Sequence, residues 1–408
     1  MYPAALENYW LERARRFTAA PDDETALEKL RPAAQRLSDL FTVKRPDGHF
    51  PDYAADPPLL LAYGLFFFPQ SYVRARLAFD QPTRFRGWRP QTRGTEPVRL
   101  LDLGSGAGPC GLALADALGD LCPQRPVALT ALDHSPAALA ALREIANGFP
   151  TPRHAPPRLT AETRAADLRR ASATLRDIPP QDLIVAGFAA NELFGGDPAA
   201  LRDWLAALGE KLAPGGLLLV LEPALRETAV PLRHAADALA AAGKLRRWAP
   251  DLSDTPEPLC EKHWPHEVRR WDAPASLAFL NRRLFREIGV LKFSYTALGN
   301  TPPPPLSAAP AYRLVSPLEA LNGRLLCAVA DDTGHRLSIE VPTRGLSKSA
   351  VKKFAASLER GDIFTLARPP QALGTPGLFR ALAPSDLLPL YTAKNENSQQ
   401  GKQEGDSG

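Results

Sequence analysis

The feature that most constrains this chain is the run LLDLGSGAGPCG at residues 100–111. An apolar, strand-like segment runs into Gly104, Gly106 and Gly108, and GLALADAL (111–118) then reads as a helix. Glycines at a strand-to-helix turn let the backbone bend tightly and approach a ligand with no Cβ in the way. The helix start supplies unpaired N–H groups that suit an anion. The same grammar continues downstream. VALTALD (127–133), RLTAETRAADL (158–168), DLIVAGF (182–188) and GGLLLVLEP (215–223) read as strands, with helices predicted at 136–146 and 201–212. KLRRWAP (244–250) and LKFSYTAL (291–298) add two strands around a less regular stretch of loop and helix at 251–290. Strands alternating with helices predict an α/β fold with a doubly wound, mostly parallel sheet of seven strands. Continuous apolar runs fit strands buried on both faces.

The flanks read differently. Residues 1–90 are predicted mainly helical. Leu27, Leu30, Leu37, Leu40 and Phe41 fall at near-helical spacing. Asp56-Pro57-Pro58 breaks the chain ahead of a long apolar run, and Pro69 divides that run into two helices. This segment is expected to form an N-terminal helical cap on the sheet unit at 91–300. Thr301 and four prolines open a stiff linker at 301–310, and 311–392 reads as a small C-terminal β-rich domain. Within it, Asp331-Asp332-Thr333-Gly334 predicts a hairpin turn. One helix is predicted at 347–361, capped by Ser347 and stopped by Gly361. The polar tail at 393–408 is expected to be disordered.

Composition excludes several classes. Hydrophobic residues make up 45% of the chain, enough for a core, and a net charge of +4 excludes a polycation. Eleven lysines stand against 38 arginines. The planar guanidinium suits phosphate, but GC-rich codon usage gives the same bias. Cysteines at 110, 122, 260 and 327 have no zinc or disulfide spacing. The longest apolar run, Leu59 to Phe68, is about half of the roughly 20 residues a membrane span needs. The N-terminus has no apolar leader, so a reduced, cytoplasmic protein with no membrane segment is expected.

Two ligand classes compete for the glycine loop. Gly106-x-Gly108-x-x-Gly111 satisfies the dinucleotide pattern, yet Asp102 at the strand end would repel a pyrophosphate. Asp102-x-Gly104-x-Gly106-x-Gly108 instead resembles the first motif of the class I methyltransferases, whose Rossmann-like fold binds S-adenosylmethionine, a ligand with a sulfonium and an amino group but no phosphate. The resemblance implies a cofactor loop of Gly104, Ser105, Gly106 and Gly108, with Asp102 near the methionine amino group. It puts Asp133 on the ribose, where two carboxylate oxygens suit a vicinal diol. Asp167, in Ala165-Ala166-Asp167-Leu168, matches the acid that meets the adenine amino group, and it equally suits a helix cap. The fourth strand ends in Asn191-Glu192-Leu193-Phe194, where nucleic-acid amino-methylating enzymes carry Asn-Pro-Pro-Tyr. Asn191 and Glu192 are the catalytic candidates, for positioning the acceptor and for taking its proton, and Phe194 for stacking a base. The competing role of Asn191 and Glu192 is to cap and charge a helix start.

Several further segments resemble the mitochondrial small-ribosomal-subunit methyltransferase-like family and its bacterial relatives. They are AYGLFFFPQSY, DLGSGAGP, DLIVAGFAANEL, LLLVLEP, HWPHEVRRWDAPASLAFLNRRL, LKFSYTAL and the C-terminal YRLVSP…NGRLLCAVADDTGHRLSIEV…SKS…GDIF. The resemblance covers roughly residues 55–365. It implies the small ribosomal subunit or its RNA as partner, with either methyl transfer or a non-catalytic role in subunit assembly. Relatives often carry a cysteine cluster implicated in iron–sulfur binding. Here only Cys260 remains, with Asp251 and Pro265 at the matching places, so no iron–sulfur cluster is expected. Cys260, His263 and His266 lack a clear fourth ligand, and no metal is expected. Candidate phosphate contacts are Arg84/Arg86/Arg89, Arg269/Arg270, Arg282/Arg283/Arg286 and Arg344/Lys348/Lys352/Lys353.

Overall fold

The computed structural model describes residues 2–41, 51–91, 94–148, 158–170, 174–195, 197–255, 264–286, 288–306 and 309–393. Cys260, His263 and nearly all of the polar tail lie outside them. Four helices come first: α1 (Ala4–Thr18), α2 (Asp23–Phe41), α3 (Pro57–Phe66) and α4 (Phe68–Asp80). The sheet unit then runs β1 (Val98–Leu103), α5 (Pro109–Leu121), β2 (Val127–Asp133), α6 (Pro136–Asn147), β3 (Leu159–Ala165), β4 (Gln181–Gly187), α7 (Ala190–Phe194), α8 (Pro198–Gly209), β5 (Leu212–Glu222) and α9 (Arg226–Ala241). It closes with β6 (Arg246–Ala249), β7 (Glu267–Arg270), α10 (Ala275–Arg283) and β8 (Val290–Gly299).

The strand order is β3-β2-β1-β4-β5-β8-β6. The first five strands are mutually parallel, and β8 runs antiparallel to β5 and β6. The alternation of side chains along each strand sorts the core into two layers. Leu183, Val185, Leu217 and Leu219 join one cluster with α5, α6 and all four N-terminal helices. Ile184, Ala186, Leu218 and Val220 join the other with α8 and α9. The N-terminal helices thus extend one helical layer, tied to α5 by Tyr72 and Arg76, which donate to Asp116 at 2.8 and 2.6 Å. Among the described residues no helix is long and apolar enough to cross a membrane.

The sheet has eight strands where seven were expected. The ten-residue β8 offers one edge to two strands in succession: β7 pairs with its first half and β6 with its second. The unexpected strand, EVRR, has one apolar residue. Two of its side chains, Glu267 and Arg269, are buried in ion pairs, so no hydrophobic pattern marks it.

A second sheet comes next, built from β9 (Tyr312–Leu314), β10 (Glu319–Leu321), β11 (Arg324–Asp331), β12 (Arg336–Pro342), α11 (Lys348–Ala355), β13 (Ile363–Leu366), β14 (Gln371–Ala372), β15 (Leu378–Arg380) and β16 (Leu387–Tyr391). It encloses its own core around Leu325, Val329, Val341 and Phe364. The expected hairpin turn forms: the Asp331 carboxylate accepts the amides of Thr333 and His335, and Gly334 takes φ +88°. Ser347 caps α11 by accepting from the Ala350 amide. The helix ends at Ala355, not at Gly361, and Leu358 beyond it is buried in the core. Gly361 instead lies against Glu267 and Arg269 of β7, where the two sheets meet.

Candidate active site

A cavity of about 750 Å³ opens at the C-terminal ends of β1, β2 and β4. Open α/β sheets present their ligand crevice at this edge. The glycine loop forms its floor, and the N-terminal helical layer supplies a wall of Tyr53, Tyr63, Phe67 and Arg74.

The loop glycines have different jobs. All three of Gly104, Gly106 and Gly108 have positive φ. A Cβ on Gly104 would stand 2.4 Å from Ala189 Cβ, and one on Gly108 would stand 2.6 Å from Leu142 Cδ1. Those two glycines allow close packing, and Gly108 lies behind the cavity. A Cβ on Gly106 would meet only the hydroxyls of Tyr53 and Tyr63, at 3.7 and 4.0 Å, so Gly106 is where bare backbone faces the ligand space. The Gly104 and Ser105 amides donate to Leu132 O, tying the loop to β2.

Asp102, expected near a ligand amino group, lies beneath the cavity lining and is not part of it. It is wholly buried beneath the loop, with Oδ2 accepting from the Gly111 amide at 2.9 Å. A Cβ on Gly111 would approach Asp102 Oδ2 to 2.5 Å, so this third glycine of the dinucleotide pattern makes room for a carboxylate. Asp102 Oδ1 is buried with no partner among the described residues. Burial, reinforced by the nearby Asp133 charge and opposed by the Gly111 bond, pushes the Asp102 pKa up to about 7.

Asp133, at the end of β2, lines the cavity. Its Oδ2 accepts from the Gly106 amide and its Oδ1 from the Ser135 amide, each at 2.8 Å. This carboxylate therefore holds the ligand-facing glycine in place and keeps lone pairs for a further donor. Asp167 combines a capping contact with a place in the site: Oδ1 accepts from the Arg169 amide at 3.0 Å, and the exposed side chain lines the cavity.

At the end of β4, Phe188 takes φ +65°, a strained conformation for a bulky residue. The strain presents its carbonyl to Asn191, whose Nδ2 donates to Phe188 O at 3.0 Å and to the Glu222 carboxylate. The Asn191 amide also donates to Glu222 Oε1 at 3.1 Å. Glu222, at the end of β5, fixes the Asn191 side chain with Oδ1 buried and without a partner among the described residues. Glu192 lines the same cavity. Phe194 does not. It points into the opposite core and packs on Trp204, ring centres 5.4 Å apart.

Sequence reasoning missed Tyr53, Tyr63, Arg74 and Glu222. The first three precede the glycine loop by some thirty to fifty positions, and helical periodicity marks their segment only as buried.

Two of the candidate phosphate-contact arginines are buried, and others are exposed or half-buried but paired with a carboxylate or carbonyl. Arg86 is buried and donates to Leu252 O, and Arg269 is buried between Glu267 and Asp362. Arg89 donates to Thr83 O, while Arg84, Arg270, Arg283 and Arg286 pair with Asp80, Glu359, Glu28 and Asp39. Arg344, Lys348, Lys352 and Lys353 remain exposed around α11. Asp251 accepts from Arg233 and Arg247 at 3.1 and 2.9 Å. His266 lies 2.9 Å from Trp264 O, and burial pushes its pKa down to about 4. Among the described residues no cluster of histidine, cysteine and carboxylate side chains is placed to hold a metal ion.

No family model and no curated protein matches the chain. Similar solved structures include the CMeT domain of the citrinin polyketide synthase, at 16% identity over 69% of this chain and 70% of that one, with a TM-score of 0.36. MnmC2 from Aquifex aeolicus aligns at 14% identity over 58% and 63%, with a TM-score of 0.32. An S-adenosylmethionine-dependent methyltransferase from Clostridium acetobutylicum aligns at 12% identity over 70% and 79%, with a TM-score of 0.27.

Proposed function

We propose that the chain is a class I S-adenosylmethionine-dependent methyltransferase acting on small-subunit ribosomal RNA or a ribosome precursor. The observation that carries the cofactor is the Gly111–Asp102 hydrogen bond. In a dinucleotide site the amides at the helix start receive a pyrophosphate. Here one such amide is committed to an internal carboxylate, and a second carboxylate, Asp133, borders the loop. Two acids at a glycine loop favour a cationic nucleoside over an anionic one.

The side chains fit that group. Asp133 is available to the ribose hydroxyls, Gly106 to close backbone approach, Asp167 to the adenine amino group and the unpartnered Asp102 Oδ1 to nearby positive charge. When bound, S-adenosylmethionine supplies an already activated methyl group. The protein then mainly aligns the acceptor and excludes water. Asn191 Oδ1 is a fixed acceptor for an N–H of the substrate, with its orientation set by Glu222. Glu192 is the candidate to take the proton released by that nitrogen. Tyr53, Tyr63 and Phe67 cover the cavity with aromatic surface.

Methyl-labelled S-adenosylmethionine, incubated with small ribosomal subunits from cells lacking the protein, tests the reading. Label is expected in RNA. Asp133→Ala removes an acceptor of two ribose hydrogen bonds and is expected to weaken cofactor binding about 100-fold. Stabilisation of the fold by NAD but not by S-adenosylhomocysteine would sink the proposal. The turn of Phe194 into the core favours a second reading, a non-catalytic assembly factor on the same particle. Cofactor binding without label transfer would select it.

The exposed basic residues around α11 support an RNA contact. Replacing Lys348, Lys352 and Lys353 together by Ala is expected to flatten the dependence of log affinity on log salt by about 2 to 3, at roughly 0.7–0.9 per lost phosphate contact. An unchanged slope removes this face from the interface.

A further inference from the structure

Arg74 is partly buried and differs from the arginines whose burial is matched by a carboxylate. Arg233, Arg247, Arg269 and Arg313 each face a carboxylate. Arg74 faces none among the described residues. Its Nη2 donates to the Gln70 amide oxygen at 3.2 Å, its Nε is buried without a partner, and its Cζ lies 5.6 Å from the centre of the Phe188 ring. It lines the cavity. A guanidinium desolvated without a counter-charge is costly. A ligand that brings the missing negative charge removes that cost on binding.

Its place in the fold says which part of a ligand it would meet. The strand order β2-β1-β4 puts Asp133, at the end of β2, and Phe188, just past β4, on opposite sides of the glycine loop. A nucleoside with its ribose at Asp133 and its reactive centre over Gly106 extends its far end toward Phe188 and Arg74. The Cys110 thiol, in the first turn of α5, lines the cavity and lies within reach of both the Asp102 charge beneath the loop and the Arg74 charge in the wall. An amino-acid group, carrying one charge of each sign, matches that pair.

We propose that Arg74 binds the carboxylate of the amino-acid tail of the cofactor, its planar donors facing the two carboxylate oxygens. The N-terminal helical layer is then part of the cofactor site through α4. This inference rests on the S-adenosylmethionine reading.

The test compares ligands with and without the carboxylate of the tail. Wild type, Arg74→Lys and Arg74→Gln are titrated with S-adenosylhomocysteine, with decarboxylated S-adenosylmethionine and with 5′-methylthioadenosine, which lacks the whole amino-acid group. Arg74→Gln is expected to weaken S-adenosylhomocysteine about 10- to 100-fold and to leave the two ligands without a carboxylate unchanged. Arg74→Lys is expected to lose less. Unchanged S-adenosylhomocysteine affinity in Arg74→Gln would overturn the proposal and leave an anion of the acceptor as its partner. An equal loss for all three ligands would also overturn it, assigning Arg74 to the shape of the pocket through Phe188. If the wild type binds none of them, the cofactor reading itself falls; in the other two outcomes it stands.

Discussion

Arg269→Met is expected to destabilise the protein by about 3–5 kcal/mol at neutral pH, the cost of breaking a buried ion pair from one side. Arg269 lies 2.9 Å from Glu267 Oε2 and also pairs with Asp362, while Arg313 pairs with the same Glu267. All four side chains are at most 4% exposed. Glu267 and Arg269 belong to β7 of the first sheet, and Arg313 and Asp362 to the second, so the cluster joins the two. A Cβ on Gly361 would fall 1.7 Å from Glu267 Oε2, so the φ +97° glycine next to Asp362 is what lets the second sheet approach. Burial by itself pushes the Glu267 carboxyl upward, but Arg313 and Arg269 outweigh it and hold it below the ordinary glutamate value. Its stabilising contribution is therefore present above about pH 4.3 and is lost as the pH falls through the lower, folded value. In Arg269→Met the balance shifts. Asp362 loses its guanidinium and Glu267 loses one of its cations, burial weighs more heavily on Glu267, and the deficit is greatest where Glu267 is ionised. Urea midpoints at pH 7 and pH 4.5 check this, with a smaller deficit expected at the lower pH. A loss under about 1 kcal/mol, or one equal at both pH values, would contradict the account. Adding Asp362→Asn to Arg269→Met removes the carboxylate left without its guanidinium, while Glu267 keeps Arg313, and is expected to restore part of the loss.

That cluster also marks the boundary of what the sequence discloses. Apolar runs such as those of β4 and β5 are legible because strands buried on both faces need continuous hydrophobic residues. β7 is buried through paired charges, which look the same in sequence as a solvated surface. The same ambiguity makes Arg86 and Arg269 read as phosphate contacts. The glycine loop and Asp133 were legible because tight backbone geometry demands specific residue types at fixed spacing. Asn191 was legible as a candidate, but its holder Glu222 lies 31 positions away at the end of β5. The cavity wall of Tyr53, Tyr63 and Arg74 depends on how the N-terminal helices dock, and periodicity reports only that a face is buried.

Asp102→Asn is expected to stabilise the unliganded protein while weakening its hold on the cofactor. At pH 8 the wild-type carboxylate is ionised in both the folded and unfolded chain, and only the folded chain bears the cost of burying it. A pKa of about 7 against an ordinary value of 3.8 corresponds to roughly 4 kcal/mol, at about 1.4 kcal/mol for each tenfold change. Asparagine keeps an oxygen for the Gly111 amide and carries no charge, so it recovers much of that penalty. The group binds its proton more tightly when folded. Its contribution is therefore most favourable below the unfolded value and is lost as the pH rises through about 7. The advantage of Asp102→Asn should be full at pH 8 and fall to less than half of that at pH 5, where only the unfolded carboxyl is still mostly ionised. Cofactor binding should move the other way, because the unpartnered Asp102 Oδ1 is the negative atom that the amino group or sulfonium would approach. Urea denaturation at the two pH values, with and without S-adenosylhomocysteine, reads both effects. A variant less stable than wild type at pH 8 would show that Asp102 is held by bonds beyond the Gly111 amide. A variant more stable and equally stabilised by ligand would detach Asp102 from the cofactor. A gain in stability joined to a loss of ligand response is the signature of a charge buried for binding at the expense of the empty fold.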